Sequence, residues 1–304
     1  VSGLSGVAQT VQAGNDHSCV LNSGAVRCWG SNHFAQMGSP GALPPSPPTL
    51  VAGLPGSTTT ISAGAYHNCA VNSRGRVTCW GNNPFGYNGN PITLADLLEG
   101  FATAAAGREH NCAVTTTGAV RCWGSTSSGQ FGYYGSDSPY ETVSISGLSG
   151  TVQSISAGRE HTCVVLAGGR VECWGASTYG QGGSPAPVGF VGLDSVRAVR
   201  AGGFHNCALT TSGGVKCWGN NAFGQIGDGT TTTAYLPVEV AGLGSGVTAI
   251  SVGEGHSCAL TSAGAVKCWG DNQYAQIGDG SFPGVATPQW VRRDLAFFRD
   301  GFEE

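Results

Sequence analysis

AGREHTCVVLAGGRVECWGASTYGQGG (157–183) decides the fold, because the chain contains it six times in altered form. Each copy reads G-x-x-H-x-C, then eight or nine residues, then C-W-G. The copies begin at Gly14, Gly64, Gly107, Gly158, Gly202 and Gly253. Their first cysteines are 50, 43, 51, 44 and 51 residues apart. A period of this size means a solenoid, a propeller or an array of domains. HNCAVNSRGRVTCWGNN (67–83) has the pattern of two short strands and a tight turn. LPVEVAGL (236–243) and VTAISVG (247–253) add extended, β-branched segments broken by glycine. No stretch sustains an apolar 3.6-residue period, although ITLADLLEGFA (92–102) has room for a helical turn or two. About four short strands per period is a propeller blade. The expected fold is all-β, a six-bladed propeller over residues 1–291 with a tail at 292–304.

The cysteines test this at residue level. In five copies they stand ten positions apart: Cys69/Cys79, Cys112/Cys122, Cys163/Cys173, Cys207/Cys217 and Cys258/Cys268. If they face each other across a hairpin, the turn holds three residues, and the third is Gly75, Gly118, Gly169, Gly213 or Gly264. That is the left-handed position of a three-residue turn with a glycine bulge. In the first copy, Cys19 and Cys28 are nine apart, which leaves the two-residue turn Ser23-Gly24. The shorter spacing changes the turn and keeps the cysteines opposed. The spacing therefore predicts six cross-strand disulfides. Twelve buried thiols are the alternative; zinc is disfavoured, because each hairpin supplies only two ligands at non-finger spacing. Each bridge closes a ten-residue loop, for about 2.5 kcal/mol in the chain-entropy account.

Disulfides belong to oxidising compartments, so an extracellular or cell-surface protein is expected. The chain opens at Val1 and shows no signal peptide, as in a processed secreted protein or part of one. No run of 18 apolar residues is present, so no membrane span is expected. Formal charge is −4 and only 11% of residues are charged. Nucleic-acid binding needs a basic footprint, and this composition lacks one.

AGREHTCVVLAGGRVECWGASTYGQGG and VGEGHSCALTSAGAVKCWGDNQYAQIGDG (252–280) resemble the regulator of chromosome condensation repeat family. The shared signature is A-G-x-x-H-[ST]-x-A-[LV], a glycine turn, then W-G-x-N-x-[FY]-G-Q-x-G. The resemblance covers nearly the whole chain and implies blades of four antiparallel strands. Eukaryotic members are typically seven-bladed, whereas six copies are counted here. Paired cysteines in every hairpin also depart from the usual pattern. The founding member's nucleotide exchange and chromatin binding are not carried over, since no basic tail is present.

The segments between copies share a phrase: PPTLVAGL (47–54), YETVSISGL (140–148), PAPVGFVGL (185–193) and LPVEVAGL (236–243). The chain begins inside this phrase with VSGL (1–4), and ATPQWV (286–291) supplies the other half. Pro288, Gln289, Trp290 and Val291 are therefore expected to complete the blade begun at the N-terminus, or to pair with that half-blade in another molecule. The tail adds Phe297, Phe298 and Phe302, which favour docking on the ring or on a neighbour.

Chemistry is sparse. His17, His67, His110, His161, His205 and His256 recur once per blade. A residue repeated in every blade serves the blade, here by an expected bond to backbone, and neither metal nor cofactor is expected. Trp29, Trp80, Trp123, Trp174, Trp218 and Trp269 follow a cysteine directly, so each faces the opposite side of its strand and is expected to pack between blades. Trp290 is expected to fill the same space at the closure. Asp228 and Asp279 offer too few carboxylates for calcium and are expected in solvated turns. Arg108-Glu109 and Arg159-Glu160 are expected as weak surface pairs. The threonine-rich loop DGTTTTAYLP (228–237) is a place for O-linked sugar. No catalytic motif is found. The expected function is a non-enzymatic interaction or structural propeller with a protein partner, itself included, and a fibre built by strand exchange is its specific form. A rim that binds carbohydrate or protein is the alternative, with Tyr133, Tyr134, Tyr140 and Tyr179 as candidates.

Overall fold

The computed structural model describes residues 4, 8–39, 46–83, 87–93, 100–135, 138–183 and 185–292. These residues form six antiparallel sheets of four strands, each built from consecutive strands. Blade one spans Thr10–Leu50, blade two Thr58–Thr93, blade three Phe101–Ser144, blade four Val152–Gly189, blade five Val196–Glu239 and blade six Val247–Trp290. The ends of the first strands, from Ala13 to Val252, line a central channel, so the first strand of each blade is innermost. Ile92 and Thr93, where a helical turn had room, lie in the fourth strand of blade two, and Phe101 opens blade three; residues 94–99 are outside the described set.

The hairpin arithmetic is realised in the register. Cys69 faces Cys79 in blade two, Cys112 faces Cys122 in blade three and Cys163 faces Cys173 in blade four. Cys207 faces Cys217 in blade five and Cys258 faces Cys268 in blade six. In blade one, Cys19 faces Cys28 across the shorter turn. Disulfides join all six pairs, Cys19–Cys28, Cys69–Cys79, Cys112–Cys122, Cys163–Cys173, Cys207–Cys217 and Cys258–Cys268, each with Cα atoms 4.1 Å apart. The alternative of twelve buried thiols is thereby set aside, since no cysteine is free. The third turn residue is left-handed, as at Gly75 (φ 72°), and in blade one both Ser23 (φ 50°) and Gly24 (φ 78°) are. Those are the angles that the primed two-residue turn requires.

The core lies between blades, not within them. Cys19, Leu21, Val26, Cys28, Met37 and Val51 of blade one pack with Trp80 of blade two. In the same way Trp123 covers Cys69 and Cys79, Trp174 covers Cys112 and Cys122, Trp218 covers Cys163 and Cys173, and Trp269 covers Cys207 and Cys217. Side chains alternate along a strand, so the cysteine looks to the following blade and the tryptophan to the preceding one.

The expected closure is corrected. Val285–Trp290 is the fourth strand of blade six, paired with Val266–Gly270, and blade one draws its four strands from Thr10–Leu50. Pro288 and Gln289 lie inside this strand, with Gln289 opposite Cys268, and Val291 follows it. The shared phrase marks the end of a blade's own outer strand, so 286–291 ends blade six and does not complete blade one. Trp290 fills no gap between blades. It is 56% exposed, lies opposite Lys267 in register, and has the Lys267 ammonium 4.3 Å above its ring. Phe297, Phe298 and Phe302 lie outside the described residues.

Removing one bridge with the paired change Cys207→Ala and Cys217→Ala is expected to lower unfolding free energy by about 2–3 kcal/mol without loss of fold. Urea denaturation measures this, and an unchanged midpoint would show that the bridge adds nothing to packing.

Candidate functional site

The recurring histidine, tryptophan and glutamine form one unit across the boundaries between blades one and two and between blades five and six, and parts of it recur from blade two to blade five. His67 Nε2 lies 2.7 Å from Asn111 Oδ1 of blade three, and His161 Nε2 lies 2.8 Å from Asn206 Oδ1 of blade five. His17 reaches Asn68 at 2.9 Å, His110 reaches Thr162 at 2.8 Å and His205 reaches Ser257 at 2.9 Å. The partner is always the residue after the next blade's histidine, not the backbone expected from the sequence. That partner reaches back in turn. Asn68 Nδ2 donates to the Gln36 carbonyl at 3.0 Å, Asn206 to that of Gln181 at 2.8 Å, and Ser257 Oγ to that of Gln225 at 3.1 Å. At Gln36 and Gln225 the next blade's tryptophan uses the same carbonyl. Trp80 Nε1 donates to Gln36 and Trp269 Nε1 to Gln225, both at 2.9 Å. An amide oxygen accepts, so His17, His67 and His161 hold the proton on Nε2 toward Asn68, Asn111 and Asn206, and Ser257 spends its hydroxyl proton on the Gln225 carbonyl, so His205 Nε2 donates as well.

The glycine of the motif makes this approach possible. A Cβ at Gly158 would stand 2.4 Å from the Gly202 carbonyl oxygen of the next blade and 2.4 Å from His161 Cε1. Only a residue without Cβ lets the inner strands meet here.

Burial sets the charge state of the histidines. Removal from water holds His67 and His161 at a pKa of about 4, and His110 and His205 at about 3. Burial lowers His17 and His256 as well. A ring neutral at Nδ1 and donating from Nε2 gains from this environment, and a charged one loses. His17, His67, His110, His161 and His205 therefore serve architecture, each pointing at its neighbour blade.

The loops that lead into the unit form one rim. Phe34, Tyr179, Phe223 and Tyr274 stand five residues after their tryptophans. Their backbone amides are held by Gln36, Gln181, Gln225 and Gln276 side chains at 2.8–2.9 Å. Phe34, Tyr179 and Phe223 reach the loop before the next blade's histidine, and Tyr274 is 86% exposed. Phe34 packs on Tyr66 with centroids 4.9 Å apart, and Tyr179 on Phe204 at 5.8 Å. Arg159 covers the Phe204 ring at 5.0 Å and pairs with Glu254 of blade six at 2.9 Å, a contact invisible in sequence. The expected neighbours Arg108–Glu109 and Arg159–Glu160 are 3.8 Å apart and half-exposed. Tyr133 and Tyr134 are exposed in the loop of blade three that holds Ser128 five residues after Trp123, and Tyr140's side chain lies outside the described residues. Asp228 and Asp279 sit in turns, where each accepts a backbone amide at 2.9 Å, from Thr230 and Ser281 respectively.

Two tests follow from this geometry. Gly158→Ala is expected to cost about 3 kcal/mol or more through the inner-strand collision, while Gly244→Ala, whose Cβ meets open space, stays within about 0.5 kcal/mol. For pH, the unfolded rings protonate near 6.5 and the folded ones only near 3–4. The unfolded chain thus binds more protons as pH falls below 6.5. Stability is full above that value and lost on acidification, by about 1.4 kcal/mol per pH unit for each ring. Urea midpoints at pH 7, 6 and 5 are expected to fall steeply, and a flat profile would contradict burial of neutral rings.

The family description "Regulator of chromosome condensation (RCC1) repeat" matches residues 8–36, 59–86, 102–130, 152–181, 196–225 and 247–276. The Ultraviolet-B receptor UVR8 of Arabidopsis thaliana is 30% identical over 148 residues, 45% of this chain and 34% of that protein. The chain thus spans about a third of that relative's length. Among solved structures, yeast RCC1 (Prp20) bound to Kap60 superposes with a TM-score of 0.84 at 18% identity, over 94% of this chain and 75% of that one. Human WBSCR16 gives 0.84 at 22% identity, over 95% and 82%. At these identities the structural likeness speaks for the fold. Six matched repeats, each on one blade, place this chain in the regulator of chromosome condensation repeat family.

Proposed function

We propose that this chain is a non-catalytic, protein-binding propeller that works in an oxidising, extracellular setting and meets its partner with the aromatic rim. The observation that carries this is the row of partly exposed rings at one repeat position, with Phe34 40%, Phe223 46% and Tyr274 86% exposed, beside the charged Arg159 and Glu254. Aromatic anchors with arginine nearby are the composition of protein-binding hot spots. Six disulfides support the compartment, because a reducing cytosol does not maintain them. The ectodomain of the Arabidopsis thaliana receptor kinase ACR4 shares the fold at a TM-score of 0.60, and yeast RCC1 is solved in complex with Kap60. Both fit a scaffold that presents loops to proteins. The absence of catalysis is inferred from the histidine and tryptophan positions, which hold the same residue in all six blades, whereas a catalytic centre needs unlike groups at one place. Fibre formation by exchange of the last strand is left out of this proposal, because Val285–Trp290 pairs within blade six.

The variant Phe34→Ser, Phe223→Ser, Tyr274→Ser is compared with Tyr235→Ser, Leu236→Ser on blade five's outer strand. Both are applied to extracellular proteins and checked for fold by circular dichroism. A saturable protein partner is expected to lose affinity at least tenfold with the rim variant and to keep it with the outer-strand variant. The reverse pattern would move the contact to the blade edges.

A further inference from the structure

The rim carries a charge as well as a row of aromatic rings. Both of its loops belong to one end of the ring, because the amide after a Trp-Gly pair donates to the carbonyl just ahead of the histidine. Ser31 does so to Asp16 at 2.7 Å, and Asp271 to Gly255 at 2.9 Å. Among the described residues these loops hold five carboxylates, on Asp16, Glu109, Glu160, Glu254 and Asp271, and two guanidinium groups, on Arg108 and Arg159. Both guanidinium groups already face carboxylates, Arg108 that of Glu109 and Arg159 those of Glu160 and Glu254. Among the described residues, no ion pair reaches Asp16 or Asp271. The opposite end, where the hairpins turn, has the reverse balance. There Arg74, Arg76, Arg170, Lys216 and Lys267 outnumber Glu172, Asp194 and Glu239.

One place on the rim already holds a cation. Arg159 lies over the Phe204 ring, 5.0 Å from its centre, and meets the Glu254 carboxylate at 2.9 Å. The next blade boundary repeats this setting without the cation. The residue ahead of the histidine is Asp16, Tyr66, Glu109, Glu160 or Phe204 in the first five blades and Gly255 in the sixth. A Cβ on Gly255 would stand 3.3 Å from Asp271 Cβ and 3.6 Å from Phe223 Cδ2. Glycine thus leaves a notch between the half-exposed Phe223 ring and Asp271, with Glu254 as the preceding residue. Among the described residues, no cation stands over Phe223.

We propose that the rim holds its protein partner by an arginine or lysine side chain of that partner, seated in this notch on the Phe223 ring and against Asp271. This rests on the protein-binding reading of the rim and adds the chemistry of what the rim binds. A ring face attracts a cation, and the carboxylate beside it accepts a charge-assisted hydrogen bond. The excess of carboxylates around the channel mouth steers a basic segment inward and turns an acidic one away. The turn end of a second copy also carries cations, but Arg170 there faces Glu172, and Lys216 is spent on the Gly192 carbonyl.

The probes are short glycine–serine peptides that carry a pair of arginines, of lysines or of glutamates. Each is titrated into the 304-residue chain at about 0.15 M salt, where charges more than about 8 Å apart are largely screened. Backbone amide shifts in NMR spectra report both site and affinity. The arginine and lysine peptides are expected to move the amides of Phe223, Gly255 and Asp271 saturably, and the glutamate peptide to leave them in place. Asp271→Asn and Phe223→Ser are each expected to weaken arginine-peptide binding about fivefold or more, while Asp194→Asn with Glu239→Gln at the turn end keeps it within about twofold. Circular dichroism checks that every variant is folded. Equal binding of the glutamate peptide overturns the proposal, as does arginine-peptide binding that Asp271→Asn leaves unchanged. An equal loss in the turn-end variant overturns it too, because the attraction is then diffuse. Shifts at Phe223 and Gly255 that grow with protein concentration alone would give the rim to a second copy, against the proposal. A protein partner that loses affinity with the Phe34, Phe223 and Tyr274 serine variant but keeps it with Asp271→Asn leaves the rim as the binding face and refutes the cation. One that keeps affinity with both refutes the protein-binding rim as well.

Discussion

A histidine proton given to a neighbouring blade is the constraint on which the rest of this ring depends. The donor must be neutral, so it must be buried, and it is buried only if the next blade closes over it. That closure brings the next tryptophan onto the same glutamine carbonyl that the histidine's partner uses. One carbonyl thus ties a loop of one blade to two side chains of the next. Unpaired, each of these polar groups costs about 1–3 kcal/mol in an apolar boundary, a cost that Trp218 Nε1 and Asn111 Nδ2 bear.

This division of labour explains why the cysteines recur with the histidine. A single blade has little core of its own, and its apolar faces are covered by neighbours. The bridge holds the middle hairpin in register and keeps the cysteine face flat for the incoming tryptophan. Glycine in the inner loop then lets successive strands approach to carbonyl contact. Local order comes from the bridge and long-range order from the latch. With both in place, the loops can differ from blade to blade, as they do at Phe34, Ser128, Phe223 and Tyr274.

Much of this was legible in the chain because it is local. Opposed cysteines such as Cys69 and Cys79, the glycine that ends each turn and the count of four strands follow from spacing within about 17 residues. The histidine's partner was missed, although a signal existed: the next residue is Ser18, Asn68, Asn111, Thr162, Asn206 or Ser257, always small and able to accept a bond. Its function shows only when two repeats are placed side by side. Closure was misread for the same reason. The phrase at 286–291 tells where an outer strand ends, but strand pairing within a blade and packing between blades leave the same imprint on one repeat. The exposure of Leu260 and Val266 was equally silent, since they are as apolar as the buried Leu209 and Val215, and only their surroundings differ.

The most direct test of the account is the ionisation of the histidine rings themselves, followed by nitrogen-edited NMR of the imidazoles from pH 7.5 to 4.5. The account requires His67, His161 and His205 to hold their proton on Nε2, with Nδ1 bare, and these rings and His110 to stay neutral as long as the chain remains folded. Rings that titrate near 6.5 in the folded protein, or that carry their proton on Nδ1, would contradict it.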